Sequence, residues 1–188
     1  RQLVDSLLLR GHTVTVLNRG LTPNDLPDSV ERLVADRNDL DRMAEVLDER
    51  TWDAVFDVSG YVMAAGRVDP ERHLDLFRDR CGHYVYVSSI MAYDQSMIGI
   101  APWFEDYPTD RSGAHTYGGF KSTFEAALMS RFERQQFPAT VVRPAHVYGP
   151  RNNIFDMEMP MFLRLLQGRP ILLPHSGLVT ASYGHVED

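Results

Sequence analysis

Leu7-Leu8-Leu9-Arg10-Gly11-His12-Thr13-Val14-Thr15-Val16-Leu17-Asn18-Arg19-Gly20 decides the fold. Gln2 to Leu9 is an apolar stretch of helix formers, and Gly11 stands where a helix ends. His12 to Leu17 is then rich in β-branched residues and reads as a buried strand. Helix, short turn and strand are the second half of a βαβ unit. The first strand of that unit and its glycine loop are expected to lie before residue 1, so the chain reads as a fragment.

The same alternation continues. Val30 to Ala35 reads as a short strand ending at Asp36-Arg37. Asn38 is expected to cap a helix running to about Arg50. Asp53 to Val58 is the next strand, followed by Ser59-Gly60. Asp69-Pro70 opens a helix expected to reach Cys81. His83 to Val87 is a strand, with Ser88-Ser89 at its end. Residues 90 to 115 are irregular, and a loop that long inside a compact domain is usually functional. A helix from Tyr117 to about Gln136 and a strand over Ala139 to Val142 follow.

Alternating strands and helices imply a parallel α/β sheet. In such sheets the ligand lies beyond the carboxyl ends of the strands. Asn18-Arg19, Asp36-Arg37, Val58-Ser59-Gly60, Ser88-Ser89 and Pro144-Ala145-His146 all stand there, and are expected to line one site. After Gly149-Pro150 the character changes to a Met-rich helix over 157 to 166 and short strand-like pieces. Residues 1–150 therefore read as one α/β domain lacking its start. Residues 151–188 read as the beginning of a smaller substrate-binding lobe.

The 188 residues carry a net charge of −7, which argues against a polyanion-binding surface as the main function. The single cysteine, Cys81, excludes an internal disulfide and fits a reducing, cytoplasmic setting. No apolar run approaches the roughly 20 residues of a membrane span. The seven histidines show no metal-ligand spacing, and no metal is expected. His115 reads more simply as a loop residue than as an acid/base, and Tyr93 and Tyr148 as packing. Asp57 reads equally as a buried acid or as a substrate contact.

Tyr117-Gly118-Gly119-Phe120-Lys121 carries the chemistry. Lys121 is the only lysine among 19 basic side chains, the rest being arginine. On a helix, positions i and i+4 share a face, so Tyr117 and Lys121 can enter one cleft. A free phenol has a pKa near ~10 and is a poor base at neutral pH. A fixed ammonium beside it favours the phenolate. The plainer alternative is a half-exposed tyrosine and a solvated lysine.

Taken together, Val87-Ser88-Ser89-Ile90-Met91-Ala92-Tyr93, Tyr117 to Lys121, Arg143-Pro144-Ala145-His146-Val147-Tyr148-Gly149-Pro150 and His185-Val186-Glu187-Asp188 resemble the extended short-chain dehydrogenase/reductase superfamily, the NAD(P)-dependent epimerase/dehydratase group. The resemblance implies that residues 1–150 form a doubly wound, Rossmann-type NAD(P)-binding domain, with a Ser-Tyr-Lys triad of Ser89, Tyr117 and Lys121. It places Asn18, Arg19, Asp36, Arg37, Val58, Ser59, Gly60, Ser88, Tyr117, Lys121, Pro144, Ala145 and His146 along a nicotinamide cofactor. Asn18-Arg19 stands where NAD-preferring members carry an acid, and a cation suits a 2′-phosphate, so NADP is expected ahead of NAD.

The resemblance also implies oxidoreductase or epimerase chemistry at a hydroxyl or carbonyl carbon, with a nucleotide-sugar as the usual substrate and a homodimer as a common assembly. Arg151, Arg164 and Arg169 are candidates for a substrate phosphate or for ordinary surface. Ile90-Met91 stand where the dehydratases carry an Asp-Glu pair, which disfavours 4,6-dehydration. Leu17 to Gly20, Asp57 to Gly60 and Gly168 to Asp188 are similar to the chloroplast stem-loop-binding proteins and their bacterial relatives. That similarity keeps a second reading open, a cofactor-binding sensor or RNA-binding protein without turnover.

Overall fold

The computed structural model describes residues 1–23, 25–58, 69–97, 102–113, 116–152, 158–173, 176–177 and 181–188. The chain divides into two compact units, one of residues 11–144 and one of residues 1–10 with 145–188.

The larger unit is built of parallel strands and the helices between them. Strand β1 (Thr15–Asn18) pairs in parallel with β2 (Glu31–Val34), Thr15 opposite Glu31. Strand β3 (Val55–Asp57) pairs in parallel with β4 (Tyr84–Val87), and β4 with β5 (Ala139–Val142). The sheet is thus Rossmann-like but comes in two pieces, ordered β1-β2 and β3-β4-β5. Between the strands run α2 (Leu40–Leu47), α3 (Pro70–Asp75) and α4 (Tyr117–Gln135).

The helix ends follow local polar chemistry. α2 starts one residue later than the sequence suggests. Asp36 Oδ1 accepts from both the backbone N–H and the side-chain amide of Asn38, which occupies Asn38 in a turn. Asp39 becomes the cap instead, accepting from the Arg42 N–H at 3.0 Å. α3 begins as expected, with Asp69 as cap and Pro70 in the first turn, but its regular part ends at Asp75. Turns carry the chain on to Cys81, which bridges Trp52. α4 ends at Gln136, which adopts the left-handed conformation with φ 56°.

The core lies between the strands and these helices. Leu33, Met43, Leu47, Leu74, Phe77, Tyr84, Tyr86, Phe124, Leu128 and Phe137 form one buried cluster. Phe124 and Leu128, one turn apart on α4, are fully buried, and Phe124 stacks on Tyr86 with ring centroids 4.4 Å apart. Aromatic packing of this kind fixes α4 against β4, and so positions the residues at its first turn.

The described part of the long loop is ordered by its own backbone. Ile90–Ala92 and Gln95–Met97 form single 3-10 turns. Tyr93 bridges Thr109, the Asp94 N–H donates to the Pro108 carbonyl, and the Asp110 N–H donates to the Ala92 carbonyl at 2.8 Å.

The smaller unit contains α1 (Gln2–Leu9), β6 (His146–Tyr148), α5 (Met159–Leu166) and β7 (Tyr183–His185). β6 and β7 pair in parallel, His146 opposite Tyr183. Among the described residues no helix is long and apolar enough to cross a membrane.

Candidate functional site

The carboxyl end of β4 runs directly into Ser88 and Ser89. The Ser88 N–H donates to the Val142 carbonyl at 2.7 Å, which continues the ladder one step past the strand. Its side chain is 3% exposed, and its hydroxyl has no hydrogen-bond partner among the described residues. Ser89 is extended, and its Oγ accepts from the Met91 N–H at 3.1 Å, capping the turn at Ile90–Ala92. That bond uses a lone pair and leaves the Ser89 proton to donate. The Ile90 N–H donates to the Pro144 carbonyl, which brings the end of β5 beside Ser89.

α4 delivers the other side chains. Thr116 caps it, its hydroxyl accepting from the Gly119 N–H at 3.0 Å. Tyr117 is the first helical residue and Lys121 lies one turn on. The Lys121 Nζ sits 5.8 Å from the Tyr117 ring centroid and 4.9 Å from that of Tyr86. It donates to the Val87 carbonyl at 2.6 Å.

Lys121 is therefore a buried lysine, 3% exposed, and not a solvated one. Burial pushes its pKa down to about 8, reinforced by Arg37 and opposed by the carboxylates of Asp57 and Glu125.

The two glycines between Tyr117 and Lys121 have a steric role. A Cβ on Gly118 would collide with the Met91 carbonyl, and one on Gly119 with the Gly113 carbonyl. Their absence lets the first turn of α4 lie directly against the segment that follows Ser89 and against residues 110–113. The Ser122 hydroxyl donates to the Asp110 carbonyl at 2.5 Å from the same side.

Beneath this lies a buried polar group. Arg37 forms an ion pair with Asp57, and the Tyr84 hydroxyl donates to the other Asp57 oxygen at 2.7 Å. The His73 Nε2 is 3.8 Å from Asp57 and 3.4 Å from the Tyr84 oxygen. Burial opposes ionisation of Asp57, but the Arg37 guanidinium overrides it and holds the carboxyl well below its usual range. Burial, helped by Arg37, pushes His73 down to about 3 against the pull of Asp57, so the imidazole is neutral. Of the two readings left open for Asp57, the structure displays the buried acid.

The remaining expected residues are placed as follows. Asn18 Oδ1 accepts from the Gly20 N–H at 2.8 Å, and residues 18–23 line a hollow of about 260 Å³ that includes Arg19. Asp36 holds the Asn38 turn, and Arg37 is turned toward Asp57. Val58 is exposed at the end of β3. Ser59, Gly60 and His115 lie outside the described residues. Ala145 and His146 belong to the smaller unit, where His146 opens β6 with its ring 5.5 Å from that of Tyr183. Ser88, Ser89, Tyr117, Lys121 and Pro144 thus gather around the end of β4, and Asn18 with Arg19 forms a hollow at the end of β1.

Two residues at this site carried no functional reading in the sequence. Glu125, one turn after Lys121, is buried and ion-paired with Arg143. The available signal was the i+4 spacing, which puts Glu125 on the Lys121 face of α4.

The sequence model described as "NAD dependent epimerase/dehydratase family" matches residues 1–188. Among curated proteins, the chloroplast stem-loop binding protein of 41 kDa b from Arabidopsis thaliana is 30% identical over 195 residues, covering 97% of this chain and 48% of the relative. The chain thus spans about half the length of the curated relative it matches. Among solved structures, UDP-glucose 4-epimerase from Thermotoga maritima with UDP-glucose superposes with a TM-score of 0.76 at 18% identity, over 99% of this chain and 65% of the other. UDP-glucuronic acid 4-epimerase from Bacillus cereus, in complex with UDP-glucuronic acid and NAD, gives 0.71 at 16% identity, over 99% and 65%. At these identities the structural likeness speaks for the fold.

Proposed function

Because this chain belongs to the NAD dependent epimerase/dehydratase family, we propose that its protein performs nicotinamide-dependent chemistry at a hydroxyl-bearing carbon, with Tyr117, Lys121 and Ser89 as the catalytic residues and a nucleotide-sugar as substrate. The observation that carries this reading is the buried Lys121 ammonium, 5.8 Å from the Tyr117 ring at the end of the strand that leads to Ser88 and Ser89.

The described residues fit a nicotinamide dinucleotide. The Lys121 ammonium and the unpartnered Ser88 hydroxyl suit ribose hydroxyls, and the Arg19 guanidinium in its hollow suits a 2′-phosphate. The bound nicotinamide supplies the hydride acceptor.

Tyr117 takes the substrate hydroxyl proton as a general base. Lys121, with its pKa about 8, is largely charged at neutral pH and favours the Tyr117 phenolate. The Ser89 hydroxyl donates a hydrogen bond to the substrate oxygen, its proton remaining available while one lone pair accepts from the Met91 N–H. Arg19 inclines the protein toward NADP over NAD. Epimerisation or simple oxidation and reduction is favoured over 4,6-dehydration, because Ile90 and Met91 offer no acid.

The test is nicotinamide binding and turnover by the full-length protein. NADPH and NADH are titrated by fluorescence with wild type and Arg19→Ala, and nucleotide-sugars are screened with Tyr117→Phe as the inactive control. Binding, with the NADPH preference lost in Arg19→Ala and turnover lost in Tyr117→Phe, is expected. No nicotinamide binding by a folded protein overturns the reading. The 30% identity to a stem-loop binding protein favours a second reading, RNA binding without turnover; its signature would be salt-sensitive RNA affinity, against which the net charge of −7 weighs.

A further inference from the structure

Arg143, the first residue after β5, makes three kinds of contact at once. Its guanidinium grips Glu125 of α4, Nε at 3.1 Å from both carboxylate oxygens and Nη2 at 2.7 Å from Oε2. It lies over the Tyr93 ring, 4.4 Å from the centroid. Its Nη1 donates to the Glu105 carbonyl at 3.0 Å. These contacts reach three different pieces of the site. Glu125 shares the face of α4 that carries Lys121. Tyr93 closes the turn that follows Ser89, and packs edge-on against Trp103. Glu105 belongs to the segment 102–113, whose far end is tied to α4 through Ser122 and Asp110.

Glu125 is only 4% exposed. A buried ion pair is a weak source of stability compared with apolar residues of the same volume. A planar guanidinium does something an apolar side chain cannot, binding a carboxylate, an aromatic face and a carbonyl in fixed relative positions.

We infer that Arg143, held by Glu125, is a positioning residue that fixes the segment 102–113 and the turn after Ser89 against the catalytic face of α4. Its consequence for turnover rests on the reading of Tyr117, Lys121 and Ser89 proposed above; its consequence for the segment does not.

The experiment uses the full-length protein and four variants, Arg143→Met, Arg143→Lys, Glu125→Gln and the double Glu125→Gln/Arg143→Met. The double variant leaves no lone charge buried, so it keeps the test open if a single variant fails to fold. Amide hydrogen exchange over residues 102–113 is read without any substrate. Exchange there is expected to quicken by about tenfold or more in Arg143→Met, Arg143→Lys and the double variant, with helix α2 unchanged.

With a substrate in hand, kcat per folded molecule is expected to fall by about tenfold to a hundredfold, with the nicotinamide Kd held within about twofold. Unchanged exchange over 102–113 in the double variant overturns the inference. So does full recovery in Arg143→Lys, since charge alone would then suffice. Loss of all nicotinamide turnover in wild type overturns the proposed function and leaves the exchange result to decide this one.

Discussion

The Lys121 ammonium donates a hydrogen bond to the backbone carbonyl of Val87, the last residue of β4, at 2.6 Å. The bond joins the chain's only lysine to the strand that leads to Ser88 and Ser89. It orients the ammonium at the strand end, under the Tyr117 ring, while apolar packing strips it of water.

That burial makes stability depend on pH in a defined window. Lys121 has a folded pKa of about 8, below its unfolded value of 10.5. Below pH 8 both states are protonated and the folded state carries the full burial penalty. Between pH 8 and 10.5 the unfolded state binds more protons, so rising pH removes the penalty and stability increases. In urea titrations, wild type is expected to gain stability relative to Lys121→Met from pH 8 to 10.5. Parallel pH profiles for the two proteins would contradict this.

Asp57→Asn takes the carboxylate from Arg37. Breaking a buried pair by removing one partner costs about 3–5 kcal/mol, which a urea midpoint at pH 7 would register. The Asp57 carboxyl has a depressed folded pKa, so its contribution is present above the ordinary carboxylate range and is lost as pH falls through the lower folded value. The gap between wild type and Asp57→Asn is therefore expected to narrow in acid.

His73 adds a second acid window. Its folded pKa of about 3 lies below its unfolded 6.5, so stability is full above pH 6.5 and declines as pH falls from 6.5 to 3. His73→Gln removes the titrating group, and its stability is expected to fall less over that range.

Gly119→Ala places a methyl against the Gly113 carbonyl. Overpacking of this kind costs about 1–3 kcal/mol. The change also pushes the first turn of α4 away from residues 110–113. Thermal unfolding is expected to occur at a lower temperature, with faster proteolysis at Arg111.

Thr116→Ala removes the cap on α4. The lost bond to the Gly119 N–H costs about 1 kcal/mol, read as a modest drop in the urea midpoint. Thr116→Ser retains the hydroxyl and is expected to restore most of it.

Much of the fold was legible because its signals are local. The β-branched runs at 12–17 and 83–87, the Asp69-Pro70 start and the Gly11 stop are each written in a few adjacent residues. The element ends were less legible. Asn38 looks like a cap as much as Asp39 does, and only the capture of Asn38 by Asp36 decides between them. Within the site, the i+4 spacing of Tyr117 and Lys121 foretold a shared face, and the structure has them together on α4. The burial of Lys121 was not foretold, because the Val87 carbonyl and the Tyr86 ring that surround it come from a distant strand.

The sequence by itself determined the α/β class, the parallel order of strands and helices, and the family. Periodicity, caps and short motifs are properties of neighbouring residues, and they survive without coordinates. Only the tertiary structure decided that Arg37 turns to Asp57 and that Arg143 joins Glu125, Tyr93 and Glu105. Those partners stand 18 to 50 residues apart along the chain. Which buried charge meets which is set by the packing of strands and helices, where each desolvated group must find a counter-charge or a hydrogen bond.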